Sequence, residues 1–137
     1  MRLTDESKQF HHGVYAVVSQ IPFGKVTSYG HIAYLLGKPQ NSRQVGSSLK
    51  HCNAIIESLR TELQETQADD LSTFPYLDYK TLPWWRVISS AGKISPRENS
   101  NGEYIQSIKL REEGVPVSDG HMVDLDEFGW FPDDIDY

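Results

Sequence analysis

Three stretches with helical spacing occupy the first 51 residues, and the turns between them constrain the fold more than any other feature. The first has apolar residues at Phe10, Val14, Val17, Val18 and Ile21. The sequence IPFG ends this pattern, because proline and glycine both disfavour a continuing helix. A second short helix is expected behind TS and ends at Gly37, and a third begins at Asn41 or Ser42. Two short helices joined by a glycine-containing turn form a helix-turn-helix.

The rest of the chain combines further helical spacing with one strand-turn-strand pattern. Helical spacing continues from Cys52 to Leu63, either as an extension of the third helix or as a new helix that starts near Asn53. RVISSAGKIS has strand-forming residues on both sides of SAGK and predicts a β-hairpin, in the place of a wing. A last helix fits NGEYIQSIKLREEG, from near Asn101 to Gly114. We therefore expect a mainly α, winged helix-turn-helix-like fold with a short β-hairpin.

The charges are unevenly distributed along the 137 residues, whose net charge is −6. Residues 52–82 carry six acidic and two basic side chains, and residues 112–137 carry nine acidic and none basic. The remaining residues hold eleven bases and four acids, a net of +7, which could form a basic face for a phosphate backbone. A solvated surface with an acidic tail fits the same asymmetry. We expect one domain over 1–137, with an acidic insertion at about 52–82 and an acidic C-terminal tail at about 117–137.

Several classes of protein are disfavoured by the composition. No window approaches the roughly eighteen apolar residues of a membrane span, and MRLTDESKQ lacks the apolar core of a secretory signal. The single cysteine, Cys52, cannot form an internal disulfide and is far short of a zinc set. An intracellular monomer without metal, cofactor or membrane partner is expected. The tail FGWFPDDIDY either packs back on the domain or extends freely as a partner motif.

Four motifs, in this order, resemble one family: IPFGKVTSYGHIA, SRQVGSSLKH, PWWRVISSAGKIS and LREEGV. They are similar to the DNA-binding domain of O6-alkylguanine-DNA alkyltransferases. The resemblance is closer to the alkyltransferase-like proteins, in which tryptophan stands where the enzymes have their acceptor cysteine. It covers roughly residues 8–51 and 82–116 and implies a non-enzymatic protein of DNA damage recognition.

The resemblance also implies what has replaced the catalytic residues. The enzymes use a cysteine, the histidine that follows it in PCHRV, and a glutamate on a later helix. Here Trp84 has the cysteine position and Trp85 the histidine position, and gapless alignment on EEGV puts Ser107 at the glutamate position. Because the lone pair of an indole nitrogen belongs to the ring, no catalytic residue is expected. Trp84 instead offers a flat face for an everted base, whereas Trp85 either packs in the core or lies beside the lesion pocket.

Three residues are implied by the resemblance to evert the damaged base and to hold it. Arg43 would insert into the base stack and fill the vacated space, since a guanidinium can stack and hydrogen-bond at once. Tyr29 would crowd the 3′ phosphate and help to rotate the nucleotide. Arg97, thirteen residues after Trp84, would lie at the mouth of the pocket and contact the base.

The third helix is implied by the family to lie in the minor groove. Gly46, Ser47 and Ser48 have small side chains that let its backbone approach DNA closely. Minor-groove patterns are degenerate, so this geometry suits a search for lesions that does not read sequence. The candidate phosphate contacts are Lys25, Lys50 and Lys93.

The function implied is recognition of O6-alkylguanine in double-stranded DNA, flipping of the base into a Trp-lined pocket, and marking of the lesion for nucleotide excision repair. Its partners would be the damaged duplex and nucleotide excision repair proteins, in the nucleus if the source is eukaryotic. A winged-helix regulator or an interaction module without lesion specificity stays an alternative. Alkyl transfer to Cys52 is another, although its neighbour His51 would not face it on a helix.

Overall fold

The computed structural model describes residues 4–65, with backbone only from 62 to 65, and residues 81–95 and 102–136. The helices are α1 (Asp5–Val18), α2 (Tyr29–Leu35), α3 (Ser42–Lys50), α4 (Cys52–Glu65), α5 (Gly102–Glu112) and α6 (Leu125–Phe128). The described part of the chain also has two short strands, β1 (Thr27–Ser28) and β2 (Val87–Ile88), and a 3₁₀ turn, Trp84–Arg86, that directly precedes β2. The predicted mainly α class is confirmed.

The helix-turn-helix forms where local capping signals predict it. The Ser28 hydroxyl caps α2 by accepting the His31 N–H at 3.0 Å. Gly37 follows the end of α2 with φ +74°, a left-handed conformation that glycine adopts without strain. Asn41 occupies the N-cap position of α3, although its side chain makes no capping hydrogen bond. The helix α2 packs against both α1 and α3.

A break at His51 separates α3 from α4. The backbone of His51 has φ −106° and ψ 21°, so α4 is a new helix and not an extension of α3. The face of α4 at Cys52, Ile55, Ile56 and Leu59 is buried in a core that it shares with α1, α2 and α3. The first part of the acidic insertion at about 52–82 therefore contributes apolar residues to the core.

The predicted turn at SAGK forms, but its two arms do not pair with each other as a regular hairpin. The Ser89 N–H donates to the Lys93 carbonyl at 3.0 Å, which closes the turn. Strand β2 pairs in parallel with β1, and the residues after the turn pair with the C-terminal segment at Met122. Val87 and Ile88 are both fully buried, and strands buried on both faces are typical of parallel pairing inside a core.

The C-terminal segment packs back on the domain. The Val26 N–H donates to the Phe128 carbonyl at 2.9 Å, and the Trp130 N–H donates to the Val26 carbonyl at 2.7 Å. Farther along, the His31 Nε2–H donates to the Pro132 carbonyl at 2.7 Å. Every helix in the described ranges is too short or too polar to cross a membrane.

Candidate nucleic-acid interface

The outer face of α3 is exposed and basic. Arg43, Ser47 and Lys50 are exposed and lie four and three residues apart, which places them on one side of the helix. Gly46 is half-buried beside them. The helix sequence, SRQVGSSLK, contains no acidic residue. Four of the predicted DNA-binding residues therefore share one surface, to which we refer as the α3 face.

Hydrogen bonds on the opposite side of α3 anchor this helix to α1. The Tyr15 hydroxyl donates to the Ser48 carbonyl at 2.9 Å, and the Ser48 hydroxyl hydrogen-bonds His11 Nδ1 at 2.8 Å. Burial, and then the neighbouring His12, lower the pKa of His11, so this contact involves a neutral ring at pH 7. The α3 face is thus exposed on a helix whose inner side is held in place.

Tyr29 lies against the α3 face. It is the first residue of α2 and is half-buried. A Cβ added at Gly46 would lie 3.8 Å from the Tyr29 ring, an ordinary van der Waals distance. The ring therefore packs beside Gly46, and the protein itself leaves room there for a methyl group.

The two candidate phosphate contacts outside α3 differ in their surroundings. Lys93 is exposed in the turn that follows β2. Because β1 and β2 are parallel, that turn and Tyr29 leave the sheet at the same end. Lys25 instead donates from its ammonium to the Glu127 carbonyl at 3.1 Å, a contact with the C-terminal segment.

The two adjacent tryptophans lie before β2, at the other end of the sheet from Tyr29. Both are half-buried, and their rings meet edge to face with centroids 5.9 Å apart and an interplanar angle of 84°. The Trp85 indole N–H donates to Glu113 Oε2 at 2.6 Å, and the Lys109 ammonium lies 4.6 Å from the centroid of the Trp85 ring. We call residues 84–86 the tryptophan turn.

Glu113 is the centre of a hydrogen-bond network under this turn. Arg86 donates to it from Nε at 3.0 Å and from Nη2 at 2.8 Å, and the Gly24 N–H donates at 2.8 Å. The side chains of Arg86 and Glu113 are only 14% and 6% exposed. Burial alone raises the pKa of Glu113, but the hydrogen bonds from Arg86, Gly24 and Trp85 and the Arg86 charge outweigh it and hold that pKa below its usual range.

Comparison with known proteins assigns the chain to a family. The family model for the DNA-binding domain of 6-O-methylguanine DNA methyltransferase matches residues 9–115. Alkyltransferase-like protein 1 of Schizosaccharomyces pombe is 36% identical over 128 residues, which cover 90% of this chain and 96% of that protein. The chain belongs to the alkyltransferase-like proteins.

Other relatives of this alkyltransferase-like protein support the same family assignment. The DNA base-flipping protein of Escherichia coli is 31% identical over 92% of this chain and 78% of its own length. A crystal structure of S. pombe Atl1 in complex with damaged DNA containing O6-carboxymethylguanine matches with a TM-score of 0.68 and 34% identity. That match covers 96% of this chain and 100% of the other. A second structure, S. pombe ATL in complex with DNA, matches with a TM-score of 0.66.

The carboxylate beside position 85 comes from Glu113, whereas the alignment put the glutamate position of the enzymes at Ser107. Ser107, predicted at the glutamate position, is buried, and its hydroxyl has no hydrogen-bond partner in the described part of the molecule. The carboxylate that contacts the side chain at position 85 is Glu113. It belongs to the motif EEGV itself, so the alignment could have found it.

A second residue at the tryptophan turn was missed by sequence reasoning. The amide Nε2 of buried Gln106 donates to the Trp85 carbonyl at 3.1 Å and to the Val87 carbonyl at 2.9 Å. It connects α5 to the backbone on both sides of Arg86. A buried glutamine on an otherwise ordinary helix gives no local signal of such a contact.

The remaining predicted residues lie in different surroundings. Arg97 lies outside the described residues. Cys52 is only 7% exposed and belongs to the apolar core with Ile55 and Ile56. No group of three or more His, Cys, Asp or Glu side chains in the described residues is arranged to hold a metal ion.

Proposed function

We propose that this alkyltransferase-like protein binds O6-alkylguanine in duplex DNA, everts the base and holds it against Trp84 without reacting with it. The complex would mark the lesion for nucleotide excision repair. The repair partners follow from the family resemblance alone. In the lesion pocket that we propose, Trp84 forms the wall, Trp85 lies behind it and Arg97 lies at the mouth.

The observation that supports this proposal most strongly is the match to S. pombe Atl1, a protein solved with damaged DNA that contains an O6-alkylguanine. The match includes nearly the whole of both chains, so it extends to the tryptophan turn as well as to the helix-turn-helix. The basic α3 face is the kind of surface that a phosphate backbone needs.

The properties of the α3 face support eversion of a base. Extrusion costs roughly a few kcal/mol and is cheaper for a base that already pairs poorly, as an O6-alkylated guanine does. Arg43 is exposed and can enter the stack, while Tyr29 is held against Gly46 and can press on a phosphate. With Gly46 and Ser47 beside it, the helix backbone can approach the floor of the minor groove.

The residues at the acceptor positions support binding without chemistry. The indole nitrogen of Trp84 has no available lone pair, and the indole N–H of Trp85 is already donated to Glu113. The only cysteine of the sequence, Cys52, is buried in the core. The enzyme alternative therefore lacks an accessible thiol.

The test is a titration of one short duplex with and without O6-methylguanine at several salt concentrations. We expect tighter binding of the lesion duplex and a steep loss of affinity for both duplexes as salt rises. Equal affinity for the two duplexes would contradict lesion recognition. Mass spectrometry of the protein after incubation detects any transferred alkyl group, and a sequence preference among undamaged duplexes would favour the regulator.

A further inference from the structure

Contacts on several sides hold the Trp85 side chain. Its N–H donates to Glu113 at 2.6 Å, the Lys109 ammonium lies 4.6 Å from its ring centroid, and the Arg86 guanidinium lies 5.6 Å from it. Its edge-to-face partner is Trp84. Each of these contacts would be lost if the ring turned towards an everted base.

Trp84 has a different role from its neighbour. In the proposed function it supplies the face on which the base stacks, and stacking requires a ring that already has the right orientation when the base arrives. The structure places the Trp85 ring against it at an interplanar angle of 84°. A wall formed by Trp84 therefore depends on a neighbour that Glu113 immobilises.

We propose that Trp85 and Glu113 are positioning residues for Trp84, and that the hydrogen bond between them determines how well the protein distinguishes the damaged base from normal guanine. The proposal rests on the proposed function, because it assigns a source to the lesion preference of the same site. Trp85 belongs to the pocket as its support and makes no contact with the base.

The hydrogen bond can be removed while the ion pair beneath it stays intact. Arg86 donates to Glu113 from two nitrogens and also donates from Nη1 to the Ile21 carbonyl at 2.8 Å. Glu113 keeps the Gly24 N–H as a further donor. Loss of the Trp85 N–H alone therefore leaves both charges of this pair satisfied.

Two substitutions remove that N–H and differ in how much of the ring they preserve. Trp85→Phe keeps an aromatic ring of smaller size. Replacement of Trp85 by 3-benzothienylalanine keeps the shape of indole and exchanges only the N–H for sulfur. Trp85→His is the rescue variant, because an imidazole N–H can donate to the same carboxylate. The matched control is Trp130→Phe, the same change on the C-terminal segment.

We measure the dissociation constant of each variant for the O6-methylguanine duplex and for the guanine duplex. The lesion preference is the dissociation constant for the guanine duplex divided by that for the O6-methylguanine duplex. Both substitutions that lack the N–H should reduce this ratio by about tenfold, because loosening a support by a fraction of an ångström misplaces the stacking wall. Trp85→His should regain most of the ratio, and Trp130→Phe should leave it unchanged. A general structural role predicts instead an equal loss for both duplexes.

Fluorine NMR of protein labelled with 5-fluorotryptophan reports the Trp84 ring directly, since the sequence has three tryptophans. The Trp84 resonance, assigned with Trp84→Phe, should shift and broaden in the 3-benzothienylalanine protein and stay in place in Trp130→Phe. An unchanged resonance together with an unchanged ratio overturns the positioning role. If the wild-type protein shows no lesion preference, the proposed function fails, and the Trp84 resonance alone then decides whether Trp85 positions Trp84.

Discussion

The α3 face and the tryptophan turn are held in opposite ways. The side chains of Arg43, Ser47 and Lys50 point outward from a helix whose inner side is anchored to α1. At the tryptophan turn, by contrast, the side chains of Trp85 and Arg86 both end on one buried carboxylate, Glu113. Substitution of Arg43 or Lys50 should therefore change DNA binding without changing stability, whereas loss of the Glu113 carboxylate should change both.

The two regions also differ in the chemistry that their residues carry. The α3 face presents exposed basic and small side chains. The tryptophan turn keeps a carboxylate within 2.6 Å of the side chain at position 85, although that side chain has no proton to exchange at neutral pH. The following predictions test whether the two regions are as different as their contacts indicate.

The largest effect is expected when the tryptophan turn is given back a thiol and a base. Trp84→Cys alone should transfer almost no alkyl group, because a thiol of pKa near 8.5 is only a few per cent ionised at neutral pH. Adding Trp85→His should raise the rate by about 10² to 10⁴, since Glu113 is already placed to orient an imidazole. The label that reaches the protein from radiolabelled O6-methylguanine DNA measures both rates.

Two results would contradict this prediction in different ways. Rapid stoichiometric transfer by Trp84→Cys alone would mean that the site activates a thiol without a base at position 85. No gain from the double substitution would mean that the turn no longer brings positions 84 and 85 together as the indole contact indicates. The control is Trp84→Cys combined with Trp85→Phe, which has no imidazole for Glu113 to orient and should show no gain.

The next effect is on stability, through the buried ion pair. Glu113→Gln leaves the charge of Arg86 without a counter-ion, and breaking such a pair typically costs about 3 to 5 kcal/mol of the free energy of unfolding. Glu112→Gln, the exposed neighbouring position, should change that free energy by less than about 0.5 kcal/mol. Chemical denaturation at pH 7 measures both, and similar values for the two variants would contradict a structural role for the pair.

The pH dependence of that loss has a defined sign. The pKa of Glu113 is lower in the folded protein than its ordinary value of 4.5. Its contribution to stability is therefore complete above that value and is lost as the pH falls through the lower, folded pKa. The difference in unfolding free energy between the wild type and Glu113→Gln should shrink below pH 4.5, and a difference that stays constant down to strong acid would be inconsistent with this account.

Arg43→Ala should weaken binding of the lesion duplex by about 2 kcal/mol, roughly thirtyfold, because Arg43 is the residue that we propose fills the vacated stack. Its unfolding free energy should stay within about 0.5 kcal/mol of the wild type, since Arg43 is exposed. A fluorescent base analogue at the flipped position reports extrusion. Lys50→Ala is the control. It should weaken the binding of both duplexes equally and reduce the slope of log affinity against log salt concentration by about one, as expected for one lost phosphate contact.

Local signals in the sequence were sufficient to predict the helix-turn-helix. Ser28 caps α2 and Gly37 ends it, and both act on the backbone within a few residues of their own position. The exposure of Arg43 and Lys50 follows from the spacing of the buried residues on the same helix. These are the parts of the molecule in which sequence distance and spatial distance are similar.

The tryptophan turn could not be predicted in this way, because its contacts join distant positions. Arg86 and Glu113 are 27 residues apart, and a two-residue strand such as β2 has no periodicity that identifies its partner. The helix α5 also contradicts its own pattern, with Gln106 and Ser107 buried while Ile105 and Ile108 are exposed. Glu113 nevertheless lies within the motif EEGV, where the alignment could have found it, and its contact with position 85 identifies it in the structure.

The smallest effect concerns Gly46, where we expect stability and DNA binding on the α3 face to change in opposite directions. Alanine at this position should stabilise α3 by up to about 1 kcal/mol, because glycine is a poor helix former and the added Cβ would meet Tyr29 at an ordinary 3.8 Å. The same methyl group would project from the α3 face and keep the helix backbone away from the minor groove. Gly46→Ala should therefore be more stable than the wild type and bind both duplexes more weakly.

A matched glycine shows that such a gain is not general. At Gly92, φ is +82° and an added Cβ would lie 2.7 Å from the Val123 carbonyl oxygen, so Gly92→Ala should be less stable than the wild type. Thermal unfolding and duplex titration of the two variants give four measurements. A stabilised Gly46→Ala protein with unchanged affinity would mean that α3 does not approach DNA with its backbone, because the added methyl group would then not contact the DNA. A destabilised one would mean that Tyr29 is packed on Gly46 too tightly to accept it, and that the α3 face is more constrained than its exposure indicates.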